Sequence, residues 1–173
     1  MSKKLVLIDG HSILNRAFYG VPDLTNSEGI HTNAVYGFLN IMLKILNEEQ
    51  PEYLIVAFDV KHPTFFLFLF AEYKGTRSKM QPELSQQVPI IKDLLKAMDI
   101  HIVEQAGVEA DDILGSYATK AQEEGIDVCL VSGDRDTLQI ASKRIQIRIP
   151  KTKKTGTIVE NYYEQDVIET YGV

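Results

Sequence analysis

Seven carboxylates stand where chemistry could be done: Asp9, Asp59, Glu109, Asp111, Asp112, Asp134 and Asp136. Asp9 closes the apolar run KLVLID, and Asp59 closes EYLIVAFD. Asp134 and Asp136 follow DVCLV in SGDRD, and GVEADD supplies the other three at the start of a helical pattern. Each has an ordinary explanation by itself. An aspartate between a strand and a helix caps the helix, and acids in a first helical turn complement its dipole. The set is harder to explain. Two unit charges 4 Å apart repel by about 4 kcal/mol at an effective dielectric near 20. Several such pairs would strain a domain whose stability is on the order of 5–15 kcal/mol. A captured cation removes the conflict. The candidate donors are all carboxylate oxygens, with no histidine or cysteine at a strand end, and such hard ligands suit Mg²⁺ or Mn²⁺ rather than zinc.

The elements that must position these acids are legible in the apolar pattern. KLVLIDG, EYLIVAFD, HIVE and DVCLVSGD read as short buried strands. Val35, Phe38, Leu39, Met42, Ile45 and Leu46 fall at helical spacings of three and four. So do Leu84, Val88, Ile91, Leu95 and Met98, and then Ile113, Leu114, Tyr117, Ala118 and Ala121, stopped near Gly125. RIQIRIP alternates strictly and predicts an edge or half-exposed strand. GTIVE should pair beside it, and Tyr162 to Tyr171 predicts a last helix. Residues 71–82 show weak periodicity and mixed charge, which predicts a mobile loop. Alternating strands and helices give an α/β fold with a mostly parallel sheet covered on both faces. Ligands of such sheets bind outside the carboxyl-terminal edge of the strands, where the acids are expected.

Composition narrows the partners. The 173 residues suit one domain, and residues 1–173 are read as a single core. Net charge is −6, and setting the seven acids aside leaves +1, so the acidity is that of a site. Basic residues gather at Lys74, Arg77 and Lys79 and again from Lys143 to Lys154. Carboxylate-held metals beside loose basic residues suit phosphoryl transfer on a polyanion. No GxxxxGK[ST] loop and no dinucleotide glycine fingerprint is present. A phosphorylation-receiver reading, with Asp59 as acceptor, fits poorly because the acids are too many and too dispersed. Cys129 sits in an apolar run and reads as a small buried hydrophobe. The N-terminal apolar run, Leu5 to Ile8, is shorter than a secretion signal, so a cytoplasmic protein with no membrane role is expected.

Six ordered motifs then carry a resemblance: LVLIDGHSILNRAF, LTNSEGIHTNAVYGFLN, VAFDVKHPTF, EYKGTR, GVEADDILG and SGDRDTLQI. Together they resemble the 5′-nuclease domain of bacterial DNA polymerase I, in the flap-endonuclease group of the PIN-like nucleases. The match runs from about Lys4 to Val173. The resemblance implies a Rossmann-like PIN fold in which the seven acids surround up to two Mg²⁺ or Mn²⁺ ions. It implies that Lys74 and Arg77 assist at the scissile phosphate, and that Arg16 and Lys79 contact nucleic acid, with a structural role for Arg16 as the alternative. The implied reaction is metal-dependent, in-line hydrolysis of a phosphodiester in DNA with a 5′ end or 5′ flap, yielding a 5′-phosphate and a 3′-hydroxyl. A polymerase domain is the implied partner in the full-length family protein.

Two departures from the family pattern stand out. The chain stops at VIETYGV, about where the family continues into a helix-hairpin segment that grips duplex DNA and adds two aspartates. Weaker binding of a second metal and of duplex DNA is expected. The second departure is HPTFFLFLFAEYKGTR, where Phe66, Leu67 and Phe68 replace the arginine and polar residues typical after TF. Six consecutive apolar residues are too few to span a membrane, which takes roughly 20. Three readings remain open: a segment buried in this homologue, a protein-contact or self-association patch over Phe66 to Phe70, or an engineered scaffold. The alternative to a nuclease is thus a catalytically crippled binding module on the same fold.

Overall fold

The computed structural model describes residues 2–60, 79–153 and 155–173. Its centre is strand β1 (Lys4–Asp9), followed by helix α1 (Gly10–Gly20). Helix α2 (Asn33–Glu49) leads to β2 (Tyr53–Ala57). A single helical turn, Pro82–Ser85, precedes α3 (Gln87–Ala97) and β3 (His101–Val103). Then come α4 (Ala110–Glu123), β4 (Asp127–Val131) and a 3₁₀ turn over Arg135–Ile140. The antiparallel pair β5 (Ile145–Lys153) and β6 (Gly156–Tyr162) and helix α5 (Glu164–Tyr171) complete the chain. The six strands lie in the order β3-β2-β1-β4-β5-β6, parallel throughout except between β5 and β6.

Alternation along β1 divides the core in two. Val6 and Ile8 face α1, α2 and α3, while Leu5 and Leu7 face the α4 side. Strands buried on both faces read as continuous apolar runs, which is why KLVLID shows no polar period. The α2 stripe buries Val35, Phe38, Met42 and Ile45 as its spacing predicts; Leu39 and Leu46 are partly buried, and Ile41, outside the predicted stripe, is buried as well. The stripe from Leu84 to Met98 is divided between two helical pieces, and Met98 lies beyond α3 and is exposed. Lys79 to Gln81 carry no regular structure and Pro82 opens the helical turn; residues 71–78 of the anticipated loop lie outside the described residues.

One packing device has no local signature. Thr32 precedes α2 but makes no side-chain cap. Gln87, fully buried in α3, supplies it instead: its Oε1 accepts from the Ala34 and Val35 amides at 2.8 and 3.1 Å. Its Nε2 donates to Asn33 Oδ1 at 2.9 Å and to the Glu83 carbonyl at 3.0 Å. Two of the orphan amides of a helix start are thereby satisfied from across the fold.

The edge-strand expectation for RIQIRIP is corrected. β5 lies inside the sheet, parallel to β4 from Ile145 to Arg148 and antiparallel to β6. Ile145, Ile147 and Ile149 are buried, and so is Arg148 on the opposite face. Two glutamates at the end of α2 cover that guanidinium: Glu49 Oε1 at 2.9 Å, and Glu48. Asn161 Oδ1 accepts from Arg148 Nε at 2.8 Å. The polar half of the alternation is therefore an internal ion network. Only past Arg148 does β4 stop pairing, and Pro150 stands in that stretch, where a missing N–H breaks no ladder to β4. The edge on this side of the sheet is β6, and Cys129 is buried as expected. Among the described residues no helix is long and apolar enough to cross a membrane.

Candidate active site

A cavity of about 1220 Å³ opens at the carboxyl-terminal edge of β1, β2 and β4. Asp9, Asp59, Glu109, Asp111, Asp134 and Asp136 all line it. They come from four separate segments: the end of β1, the residues just past β2, the start of α4, and the 3₁₀ turn after β4. Lys79 lines it as well. Asp112 lines a neighbouring groove of about 620 Å³ between α4 and the 3₁₀ turn, which Asp111 and Asp136 share. Lys74, Arg77 and the apolar run Phe66, Leu67 and Phe68 lie outside the described residues.

Capping and site-building turn out to be the same geometry. Asp9 Oδ1 accepts from the Ser12 amide at 3.2 Å and caps α1, while its Oδ2 accepts from Ser132 Oγ at 3.2 Å. Asp59 Oδ1 accepts from the Ala110 amide at 2.7 Å, so the β2 loop caps α4. Asp134 Oδ1 accepts from the Asp136 amide at 2.9 Å and opens the 3₁₀ turn. Each carboxylate thus has one oxygen or edge held by backbone, which fixes where the rest of it stands. Gly10 permits the sharp exit from β1, since a Cβ there would sit 2.5 Å from the Phe58 ring.

Electrostatics mark Asp9 as the strained member. It is 7% exposed. Burial pushes its pKa up to about 7, and the charges of Asp59 and Asp111 push the same way against the Ser12 and Ser132 hydrogen bonds. Glu109 is equally buried. A divalent cation would reverse this logic by favouring the ionised form.

Several lining residues carry signals that the acid pattern alone does not expose. His11 lies two residues past Asp9; its Nδ1 accepts the Asp59 amide at 3.1 Å, and its ring meets Phe58 edge-on at 5.3 Å. That bond and burial, which lowers its pKa, favour the neutral ring. Ser12 and Ser132 fasten the β1 and β4 loops together: Ser12 Oγ accepts from the Gly133 amide at 2.7 Å, and Ser132 Oγ accepts from the Asp134 amide at 3.1 Å. Lys92 also lines the cavity, its ammonium paired with Glu104 and lying 5.1 Å from the Phe58 ring centre. Arg16 faces the next hollow, of about 550 Å³, and donates to the Gly133 carbonyl at 3.1 Å.

The donor set fits a hard divalent cation: oxygen ligands, two of them buried, in a cavity where carboxylates outnumber the two lysines, Lys79 and Lys92. Among the described residues no three Asp, Glu, His or Cys side chains are gathered closely enough to hold an ion as they stand. Mutual repulsion favours such spacing, and the site is a ring of acids around open space rather than a finished cage.

Fold and site together define a class: a Rossmann-like PIN-type domain, with a mostly parallel sheet flanked by helices and an acidic cavity at the strands' carboxyl edge. The family model described as the 5′-3′ exonuclease N-terminal resolvase-like domain matches residues 4–172, and the chain belongs to that family. DNA polymerase I of Geobacillus stearothermophilus is 49% identical over 173 residues, which is 100% of this chain and 20% of that protein. DNA polymerase I of Bacillus subtilis is 47% identical over 171 residues, 99% of this chain and 19% of that one. The chain therefore spans about one fifth of the length of these relatives. Among solved structures, a bacteriophage T5 flap endonuclease in a product-like complex with DNA and metal ions superposes with TM-score 0.71. It is 20% identical, and the match covers 99% of this chain and 61% of that one. A T5 5′-exonuclease with divalent zinc bound superposes with TM-score 0.70 at 19% identity, covering 99% and 62% of the two chains. Family membership favours the nuclease reading over the crippled-module alternative.

Proposed function

We propose that this chain is the core of a divalent-metal-dependent 5′-3′ exonuclease and 5′-flap endonuclease that hydrolyses phosphodiester bonds in DNA. The observation that carries the reading is the convergence of six acids from four chain segments on one cavity. Asp9, Asp59, Glu109, Asp111, Asp134 and Asp136 would hold Mg²⁺ or Mn²⁺, up to two ions, with Asp112 reaching in from the adjoining groove. When bound, such ions supply Lewis acidity at the phosphodiester and activation of water.

The chain's own residues divide the remaining work. The loops carrying Asp9 and Asp134 are fastened by Ser12 and Ser132, so these carboxylates are set before substrate arrives. Lys79 at the cavity and Arg16 beside it offer cations to the flanking phosphates. Lys74 and Arg77 are assigned to the scissile phosphate on the strength of the EYKGTR motif. Residues 1–173 act as one domain beside a polymerase domain in the longer relatives. As in the bacterial relatives it resembles, a chain with this role would work in the cytoplasm.

The test is cleavage of a labelled 5′-flap duplex with Mn²⁺, beside Asp134→Ala. Cleavage by the parent and at least about a hundredfold loss in the variant are expected, in line with removal of a preorganised charge from the site. Equal cleavage by both, or none by either, overturns the proposal.

A further inference from the structure

Helix α1 turns one face to both hollows. Ser12, Asn15, Arg16 and Tyr19 fall at spacings of three and four, and all four side chains line the smaller hollow. Tyr19 also lines the acidic cavity. It is 65% exposed. Among the described residues lining either space it is the one tyrosine, and no phenylalanine or tryptophan accompanies it. Tyr36 and Tyr53 are exposed too, but line neither. The Tyr19 ring meets Phe18 edge-to-face, with centres 5.1 Å apart, and Gln81 Nε2 donates to its hydroxyl at 3.3 Å. With one ring neighbour among the described residues and that exposure, a face stays open.

We infer that Tyr19 is a stacking platform for a base of the nucleic-acid strand, a positioning residue that sets where the strand enters the acidic cavity. This rests on the nuclease reading proposed above. A cavity lined by carboxylates repels a phosphate chain wherever no cation sits, so grip beyond the acids must come from uncharged or cationic groups. An aromatic face provides that grip for any base, because every base has a π-face. Tyr19 lies ten residues past Asp9, the cap of its helix, about 15 Å along the axis at 1.5 Å per residue. At about 3.4 Å per nucleotide of a duplex strand, the stacked base lies within roughly four nucleotides of the phosphate at Asp9.

The chain contains no tryptophan, so Tyr19→Trp creates a lone indole reporter. The parent, Tyr19→Trp, Tyr19→Phe and Tyr19→Ala would be titrated with a fluorescein-labelled 5′-flap oligonucleotide in Ca²⁺, with anisotropy and indole emission recorded. Loss of one stacked base should weaken binding by Tyr19→Ala between about fivefold and a hundredfold. Tyr19→Phe should stay within about twofold, since it keeps the π-face. The indole should be quenched on binding, and an abasic site at one position near the cleaved bond should erase the difference between parent and Tyr19→Ala. Equal melting temperatures of the four proteins assign the change to the surface. Parent-like binding by Tyr19→Ala with an unquenched indole overturns the inference and leaves the nuclease reading standing. If the parent neither binds this DNA nor cleaves it with Mn²⁺, the nuclease reading fails and the platform falls with it.

Discussion

Replacing Asp9 by asparagine should make the metal-free protein more stable while abolishing its response to metal. Asp9 has an ordinary carboxyl pKa of 3.8 and a folded value of about 7, set first by burial. The folded state therefore binds more protons than the unfolded chain between those values, and stability falls as pH rises through that window. At pH 8 the ionised side chain costs about 4 kcal/mol; at pH 5, where it is protonated in the folded protein, the cost drops to about 2 kcal/mol. Asparagine is neutral at every pH and caps a helix as well as aspartate does. For a domain of this size 1 kcal/mol corresponds to roughly 2–4 °C, so Asp9→Asn should melt roughly 8–16 °C higher than the parent at pH 8. The gain should shrink at pH 5. Millimolar Mn²⁺ should raise the parent's melting temperature at pH 8, because a ligand of the folded state stabilises it, and should do little for the variant. The assay is thermal melting by circular dichroism at both pH values, with and without Mn²⁺. A variant that melts lower than the parent at pH 8 without metal, yet responds to Mn²⁺ as the parent does, would refute the reasoning and leave Asp9 a plain helix cap.

Further outcomes follow from the same geometry. Gln87→Ala strips two buried amides of their acceptor and should cost about 2–4 kcal/mol in urea unfolding. A loss below about 0.5 kcal/mol for the alanine variant would mean α2 does not need the cap. Asp111→Asn should reduce flap cleavage far more than Asp112→Asn, because Asp111 lines the acidic cavity and Asp112 the adjoining groove. Equal losses measured in the same assay would show that both acids work at the same site.

The parallel sheet and the place of the acids were legible because both follow from short-range rules. Short apolar runs mark β1 to β4, four of the five parallel strands, and Asp9 and Asp59 stand where two of them end. What periodicity could not supply was the environment of a polar side chain. Arg148 alternates out of an apolar strand and looks solvent-bound, yet Glu48 and Glu49, a hundred residues earlier, bury it. That long-range pairing lets a strand with a charged alternate position lie inside the sheet, between β4 and β6. Gln87 is invisible for the same reason: its partners are the amides of a helix some fifty positions back. His11 and Ser132 sit two residues from recognised aspartates, but only the meeting of two loops reveals the bonds to Asp59 and Asp9. Asp112 is the converse case, adjacent in sequence to a cavity acid but turned by the helix into the neighbouring groove.

Anomalous diffraction from crystals soaked in Mn²⁺ gives the most direct test of the acidic cavity as a metal centre. A peak within coordination distance, about 2–2.5 Å, of oxygens from Asp9, Asp59, Glu109, Asp111, Asp134 or Asp136 is expected. Peaks confined to other surfaces, with that cavity free of manganese at saturating concentration, would contradict the assignment.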